Sequence, residues 1–377
     1  MMQFFCKMVN LMLPFRRRMW YNRDNNMSEE GFTMQKFTVS RDNSIYEAWP
    51  DVVLTDAGTL VCVFSECEHH NNRDKARLAL VTSTDRGRSW SAKRYLTEPG
   101  RRDAYYNCAR ISKLSDGRLA LVCDYITSTS ENEKGKSVVH LWLSEDNGES
   151  WTGPIATPAR GIVPDRLLEL KGGRWLLAAH HPDPETKKLT EYVWYSDDQG
   201  GSWSEQITMA SAPRYNLCEA SMVEVEPGVI AAFLRENSGQ GWDCFKAISR
   251  DGGESWEGVY NVPLPGCHRP TAGILRDGRM LITYRFMQGG KGWLGSWTQN
   301  VFGALMPSES ALITQRGGQS ARIFPIDFDR SLVSDLGYTG WVQFDDGEIY
   351  VVNYIVDDAP KAQIRGYSFR AEEFLLE

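Results

Sequence analysis

No stretch of the 377-residue chain strings together the ~18 consecutive apolar residues that a membrane-crossing helix needs, so no transmembrane segment is expected. Its eight cysteines show neither Cys-x-x-Cys metal-ligand spacing nor the paired pattern of a disulfide framework. Cys62, Cys108, Cys123, Cys218 and Cys267 fall in or beside apolar runs, where a thiol acts as a small hydrophobe, and this usage fits a reducing compartment. A basic stripe with interleaved aromatics is missing and the formal net charge is −7, which argues against a nucleic-acid partner. Nor does any Pro- or Gly-rich linker divide the chain. Length alone would suggest two or three domains, but an undivided chain suits one large closed β fold.

The start of the chain lacks the order of a secretory signal. Residues 1–15 are fairly apolar but are interrupted by Lys7 and Asn10, and Arg16-Arg17-Arg18 follows them. A signal places its charges first and a small-residue cleavage site last. We therefore read 1–40 as a disordered or loosely docked extension and 41–377 as a single domain. A poor signal, a membrane-surface segment, or a true start at Met27 or Met34 stay open. The cytoplasm is favoured over a secreted or periplasmic location.

Repetition is what the chain has in quantity. The phrase Ser-x-Asp-x-Gly-x-Ser-Trp begins at Ser83, Ser144, Ser196 and Ser249, at intervals of 61, 52 and 53 residues. Asp and Ser bond back onto nearby amides, Gly supplies a left-handed turn position, and the closing Trp is an apolar plug. Each copy holds too few clustered oxygens for a calcium loop, so the phrase reads as the turn at the end of a strand. A second repeat consists of two apolar runs around a turn glycine, centred on Gly58, Gly117, Gly173, Gly228, Gly278 and Gly347. Apolar alternation broken by a short Gly turn is a hairpin signal. Six such units of four short strands predict an all-β, six-bladed β-propeller with four copies of the Ser-Asp-Gly-Trp phrase.

Residues at one offset from the turn glycine should occupy equivalent places around the propeller axis. Nine before it stand Trp49, Cys108, Pro164, Glu219, Arg269 and Tyr338, and seven before it stand Asp51, Arg110, Arg166, Ser221, Thr271 and Gly340. The two offsets share parity, so these side chains are expected on one side of their strands. Seven after the glycine stand Ser65, Asp124, His180, Arg235, Arg285 and Tyr354. One rim should thus collect Glu219, Tyr338, Arg235, Arg285, Arg269, Arg110, Asp51, His180 and Asp124. Apolar strands do not need so many ionisable groups, which makes the cluster a candidate site.

With these residues in view, the chain resembles the sialidase (neuraminidase) superfamily over roughly 45–369. The repeated phrase is similar to that family's Asp-box. Cys218-Glu219-Ala220-Ser221 resembles the segment carrying the family's catalytic Glu, Phe233-Leu234-Arg235 the end of a blade bearing a carboxylate-binding arginine, and Gly337-Tyr338-Thr339-Gly340-Trp341 the segment of the nucleophilic tyrosine. The resemblance implies a retaining exo-glycosidase that releases a terminal sialic acid or related acidic sugar. Tyr338 would be the nucleophile, Glu219 its base, and Arg235 part of an anion clamp. A neutral tyrosine suits a substrate with a carboxylate on its anomeric carbon, because a carboxylate nucleophile would be repelled. The family's acid lies on a first-blade loop, here 65–74. Asp74 is the first choice, with Glu66, Glu68 and His70 as substitutes. Neither a cofactor nor a metal is called for.

The chain departs from the family at Glu47-Ala48-Trp49-Pro50, where Ala48 stands in place of a clamp arginine. Arg285, Arg269 or Arg110 are expected to rebuild the clamp, with Asp51 and His268 as further substrate contacts and Trp293 and Trp297 as a wall beside the pocket. A non-catalytic glycan-binding or interaction propeller, and a glycosidase or lyase acting on another acidic sugar, stay open.

Overall fold

The computed structural model describes residues 34–127, 137–287 and 298–375. Trp293 and Trp297 lie outside the described residues. The described strands make six four-stranded antiparallel sheets, five of them meanders of consecutive strands, arranged as the blades of a six-bladed β-propeller. The innermost strands are Tyr46–Leu54, Tyr105–Lys113, Leu168–Glu169, Leu217–Glu226, Cys267–Ile274 and Leu336–Gln343. The last blade is closed by the other end of the chain. Its outermost strand is Gln35–Ser40, paired antiparallel to Gln363–Phe369 with Gln35 opposite Ser368. Strand structure thus begins inside the stretch read from sequence as an extension.

The strands are buried on both faces because each blade packs against two neighbours. In Leu60–Cys67 every residue is buried. Leu60, Cys62 and Phe64 face a core shared with Tyr350, Val352 and Tyr354 of blade six. Val61 and Val63 face a second core with Ile111, Leu119 and Leu121 of blade two. The same division continues through four more clusters, one between each remaining pair of adjacent blades. A buried Leu, Val or Phe contributes roughly 1.5–3 kcal/mol, so these six walls, rather than a central core, hold the ring.

The four Asp-boxes share one Ser–Asp–Gly–Ser hydrogen-bond core. Ser144 Oγ donates to Asp146 Oδ1 at 2.9 Å and accepts from Gly148 N–H at 2.9 Å, while Asp146 accepts from the Ser150 N–H at 2.8 Å. Trp151 Nε1 then closes onto the Gly148 carbonyl at 3.2 Å. Hydrogen bonds from Ser150 hold the Asp146 carboxyl down at about 2. The box carboxylates are consumed by the turn itself.

The inner strands carry a distortion that parity reasoning does not anticipate. Strand register shifts between Ala48 and Asp51, Cys218 and Ser221, His268 and Thr271, and Gly337 and Gly340. At these bulges Trp49, Glu219, Arg269 and Tyr338 adopt left-handed φ of 56°, 53°, 49° and 55°. Non-glycine residues in that region store roughly 1–3 kcal/mol each and concentrate at functional sites. The bulge separates the two offsets. Residues nine before the glycine and residues seven before it do not share one side.

Candidate active site

A cavity of about 420 Å³ lies at the axis, lined by residues of all six blades, among them Trp49, Cys108, Val163, Glu219, Arg285 and Tyr338. Its chemical centre joins two bulges. Tyr338 Oη donates to Glu219 Oε1 at 2.6 Å, with both residues buried. Arg235 Nη1 reaches both Glu219 oxygens, at 2.8 and 2.9 Å, and its Nη2 donates to Asn237 Oδ1 at 2.7 Å. The guanidiniums of Arg269 and Arg285 both stand 5.5 Å from the centre of the Tyr338 ring.

The charges set the protonation of this pair. Burial alone would raise the Glu219 carboxyl, but Arg235, Arg269 and Arg285 overcome it and hold Glu219 far below the usual carboxylate range. Burial, and after it the Glu219 charge, push the Tyr338 phenol well above its ordinary value. The proton of the pair therefore rests on Tyr338. Arg285 gives one donor, Nη1, to the Leu336 carbonyl at 3.2 Å. Its Nε and Nη2 are buried with no hydrogen-bond partner among the described residues. Those two atoms are one edge of the guanidinium, the fork that matches a carboxylate. Buried donors left unpaired are costly, and an anion at this fork would offset that cost.

The remaining expected residues divide by depth. Arg269 is fully buried and donates to the carbonyls of Ala220 and Pro164 at 3.2 and 3.1 Å, so it acts on the site through its charge and by fixing the Glu219 bulge. Arg110 and Asp51 lie outside the cavity lining. Asp51 accepts from Arg166 Nε at 2.9 Å and from the Ile111 N–H at 3.0 Å, and Arg110 Nε lies 3.3 Å from Asp51. Together they tie blades one, two and three at the axis. Asp124 takes the amides of Cys108 and Val163, each at 2.9 Å, and so pins blade two to blade three. His268 is buried beside Arg285, outside the lining. Burial, then Arg235 and Arg285, hold its imidazole neutral. Asp74 is half-buried on the 68–76 loop, and its neighbours His70, Asn71 and Arg73 line the cavity rather than Asp74 itself.

Two cavity cations escaped sequence reasoning. Arg73 stacks over the Trp49 ring at 3.5 Å, a contact of the cation–π kind, and Arg102 lines the same opening. Both lie on loops outside the hairpin register. Ala48 is itself buried in the wall against blade six.

Residues 100–291, just over half of the chain, match the family described as "BNR repeat-like domain". The chain belongs to that family. It is 26% identical over 201 residues to a sialidase of Bacteroides fragilis (strain YCH46), covering 50% of this chain and 35% of that protein. It is 25% identical over 277 residues to a sialidase of Clostridium perfringens, covering 65% of each. The match thus spans about a third of one curated relative and just under two thirds of the other. Among solved structures, a protein of unknown function from Dyadobacter fermentans superposes with a TM-score of 0.70 at 20% identity, over 89% of this chain and 99% of that one. The NanB sialidase of Streptococcus pneumoniae gives 0.63 at 13% identity, over 90% and 70%. An α-L-arabinofuranosidase of Fusarium graminearum gives 0.60 at 10% identity, over 90% and 98%. This BNR-repeat propeller is thus a member of the sialidase superfamily, and the structural likenesses speak for the fold alone.

Proposed function

We propose that the protein is an exo-glycoside hydrolase that releases a terminal sialic acid, or a closely related acidic sugar, by a retaining mechanism with Tyr338 as nucleophile. The observation that carries this reading is the buried 2.6 Å hydrogen bond from Tyr338 to Glu219 beside the fork of Arg285, which has no partner among the described residues. The substrate carboxylate takes the Arg285 fork and draws on Arg235. Glu219 then shares Arg235 with a second anion, its affinity for a proton rises, and it accepts the Tyr338 proton as the phenolic oxygen attacks the anomeric carbon. Arg73, over Trp49, supplies positive charge on the side where Ala48 carries none.

The test is release of fluorophore from an aryl α-sialoside by the wild type and by Tyr338→Phe. Turnover that collapses in the variant supports the reading. Turnover in both keeps the substrate and discards the nucleophile. A wild type inactive on sialosides overturns the sialidase reading and directs the search to other acidic sugars and then to a glycan-binding role.

A further inference from the structure

The departing oxygen of a glycoside needs a proton, and among the described residues the main cavity is lined by a single carboxylate, Glu219, already engaged with Tyr338. The other titratable groups in its wall are not alike. His180 sits behind Glu219, whose backbone N–H approaches its Nδ1 at 3.4 Å. His181 is stacked on Tyr192 at 4.2 Å and bonded to the Pro182 carbonyl. His70 is paired with an acid: its Nδ1 lies 2.8 Å from Asp335 Oδ2. Asp335 in turn accepts from Tyr46 Oη and, at 2.9 Å, from Tyr354 Oη. The ring of His70 stands edge-on to Trp49 at 5.4 Å.

Position adds a second, independent observation. His70 and Asn71 belong to the wall of the main cavity and also to that of a neighbouring cavity of about 220 Å³, which continues to Gln299, Val333 and Lys361. Val333 is 69% exposed and its neighbour Leu332 98% exposed, so the outer cavity leads to an apolar lip on the surface. A group standing between two cavities occupies the place of the bond that an exo-glycosidase cuts, with the sugar on one side and the aglycone on the other.

We propose that His70, oriented by Asp335, is the proton donor to the leaving group, and that the second cavity receives the aglycone. The inference rests on the glycosidase reading above. Tyr338 Oη bonds to the anomeric carbon as the glycosidic C–O bond breaks. The Tyr338 proton passes to Glu219, and the Nε2 proton of the His70 imidazolium passes to the departing oxygen. In the second step neutral His70 takes a proton from water, the water oxygen bonds to the anomeric carbon, the Tyr338–carbon bond breaks, and Glu219 returns its proton to Tyr338. Asp335 holds its Nδ1 hydrogen bond throughout and stabilises the charged ring. It is a positioning residue. Burial would raise its carboxyl, but His70 and the two tyrosines keep it ionised.

The experiment compares the full-length wild type with His70→Gln and Asp335→Asn on two substrates, an aryl α-sialoside and an alkyl α-sialoside. A phenolate leaves without help, whereas an alkoxide does not. Loss of a general acid should therefore cost about 10²- to 10⁴-fold in kcat on the alkyl substrate, and far less on the aryl one. Asp335→Asn should show the same asymmetry. Equal losses on both substrates, in variants whose melting curves match the wild type, would overturn the assignment while leaving the sialidase reading intact. A wild type inactive on both sialosides sinks that reading and this one with it. If His70→Gln melts early, His70→Gly with added imidazole replaces it. Rescue confined to the alkyl substrate supports the proposal, and rescue of neither or of both overturns it.

Discussion

Replacing Glu219 by glutamine asks how much of the site's order depends on one charge. The carboxylate is 4% exposed, accepts two bonds from Arg235, and lies within the field of Arg269 and Arg285. The amide keeps the shape and removes the anion that Arg235 grips with two bonds and that Arg269 and Arg285 face. Breaking a buried pair in this way costs about 3–5 kcal/mol. At about 1.4 °C per kcal/mol for a domain of this size, the melting temperature at neutral pH should fall by roughly 4–7 °C. The pH dependence supplies an internal control. Glu219 titrates below its usual 4.5 in the folded protein, so its stabilisation is fully present above about 4.5 and is lost as pH falls towards the folded value. The gap between wild type and Glu219→Gln should therefore narrow only under acid. The box aspartates, also held low, are common to both proteins and cancel. A free carboxylate ligand that fills the Arg285 fork should recover part of the loss, roughly 2.7 kcal/mol at a hundred times its Kd. Differential scanning calorimetry between pH 3 and 8 reads all three effects. A variant as stable as the wild type at pH 7 would refute the idea that Glu219 organises the three arginines.

Arg285→Ala removes a guanidinium with two buried donors that have no partner among the described residues, so its melting temperature should change little while KM for an anionic substrate rises at least tenfold. A large loss of stability with unchanged KM would show the fork to be structural. Gly337 has φ of 114°, and a Cβ there would meet the Arg285 side chain at 2.8 Å. Gly337→Ala should cost roughly 1–3 kcal/mol and raise KM by displacing Arg285. Unaltered kinetics and melting would mean that the backbone adapts without strain.

The blades and the dyad were legible because both follow a period. Six turn glycines count the sheets, and a constant offset from them selects Glu219 and Tyr338, the two residues joined at 2.6 Å. Arg269 at that offset, and Arg110 and Asp51 at the offset of seven, do not line the cavity. Bulges turn Trp49, Glu219 and Tyr338 into the cavity, whereas Arg269, at a bulge of the same kind, joins Arg110 and Asp51 in cross-linking the blades. A bulge is a backbone conformation held by tertiary packing, and Glu219 or Tyr338 in a string of letters does not declare a left-handed φ. Arg73, Arg102 and Asn237 lie on loops, where no register relates one blade to the next. Asp335 meets His70 across 265 positions of sequence, a pairing produced by ring closure alone.

The dyad sits on blades four and six, with blade five between them, and blade six is completed by a strand from the opposite end of the chain. Its 2.6 Å separation is therefore a tolerance accumulated over successive blade tilts, as the last gap in a ring of tiles records the error of every tile before it. A change of packing in any one wall, far from the cavity, would be read out at the distance between one phenol and one carboxylate. On the glycosidase reading, catalytic rate becomes a gauge of whether the circle is shut.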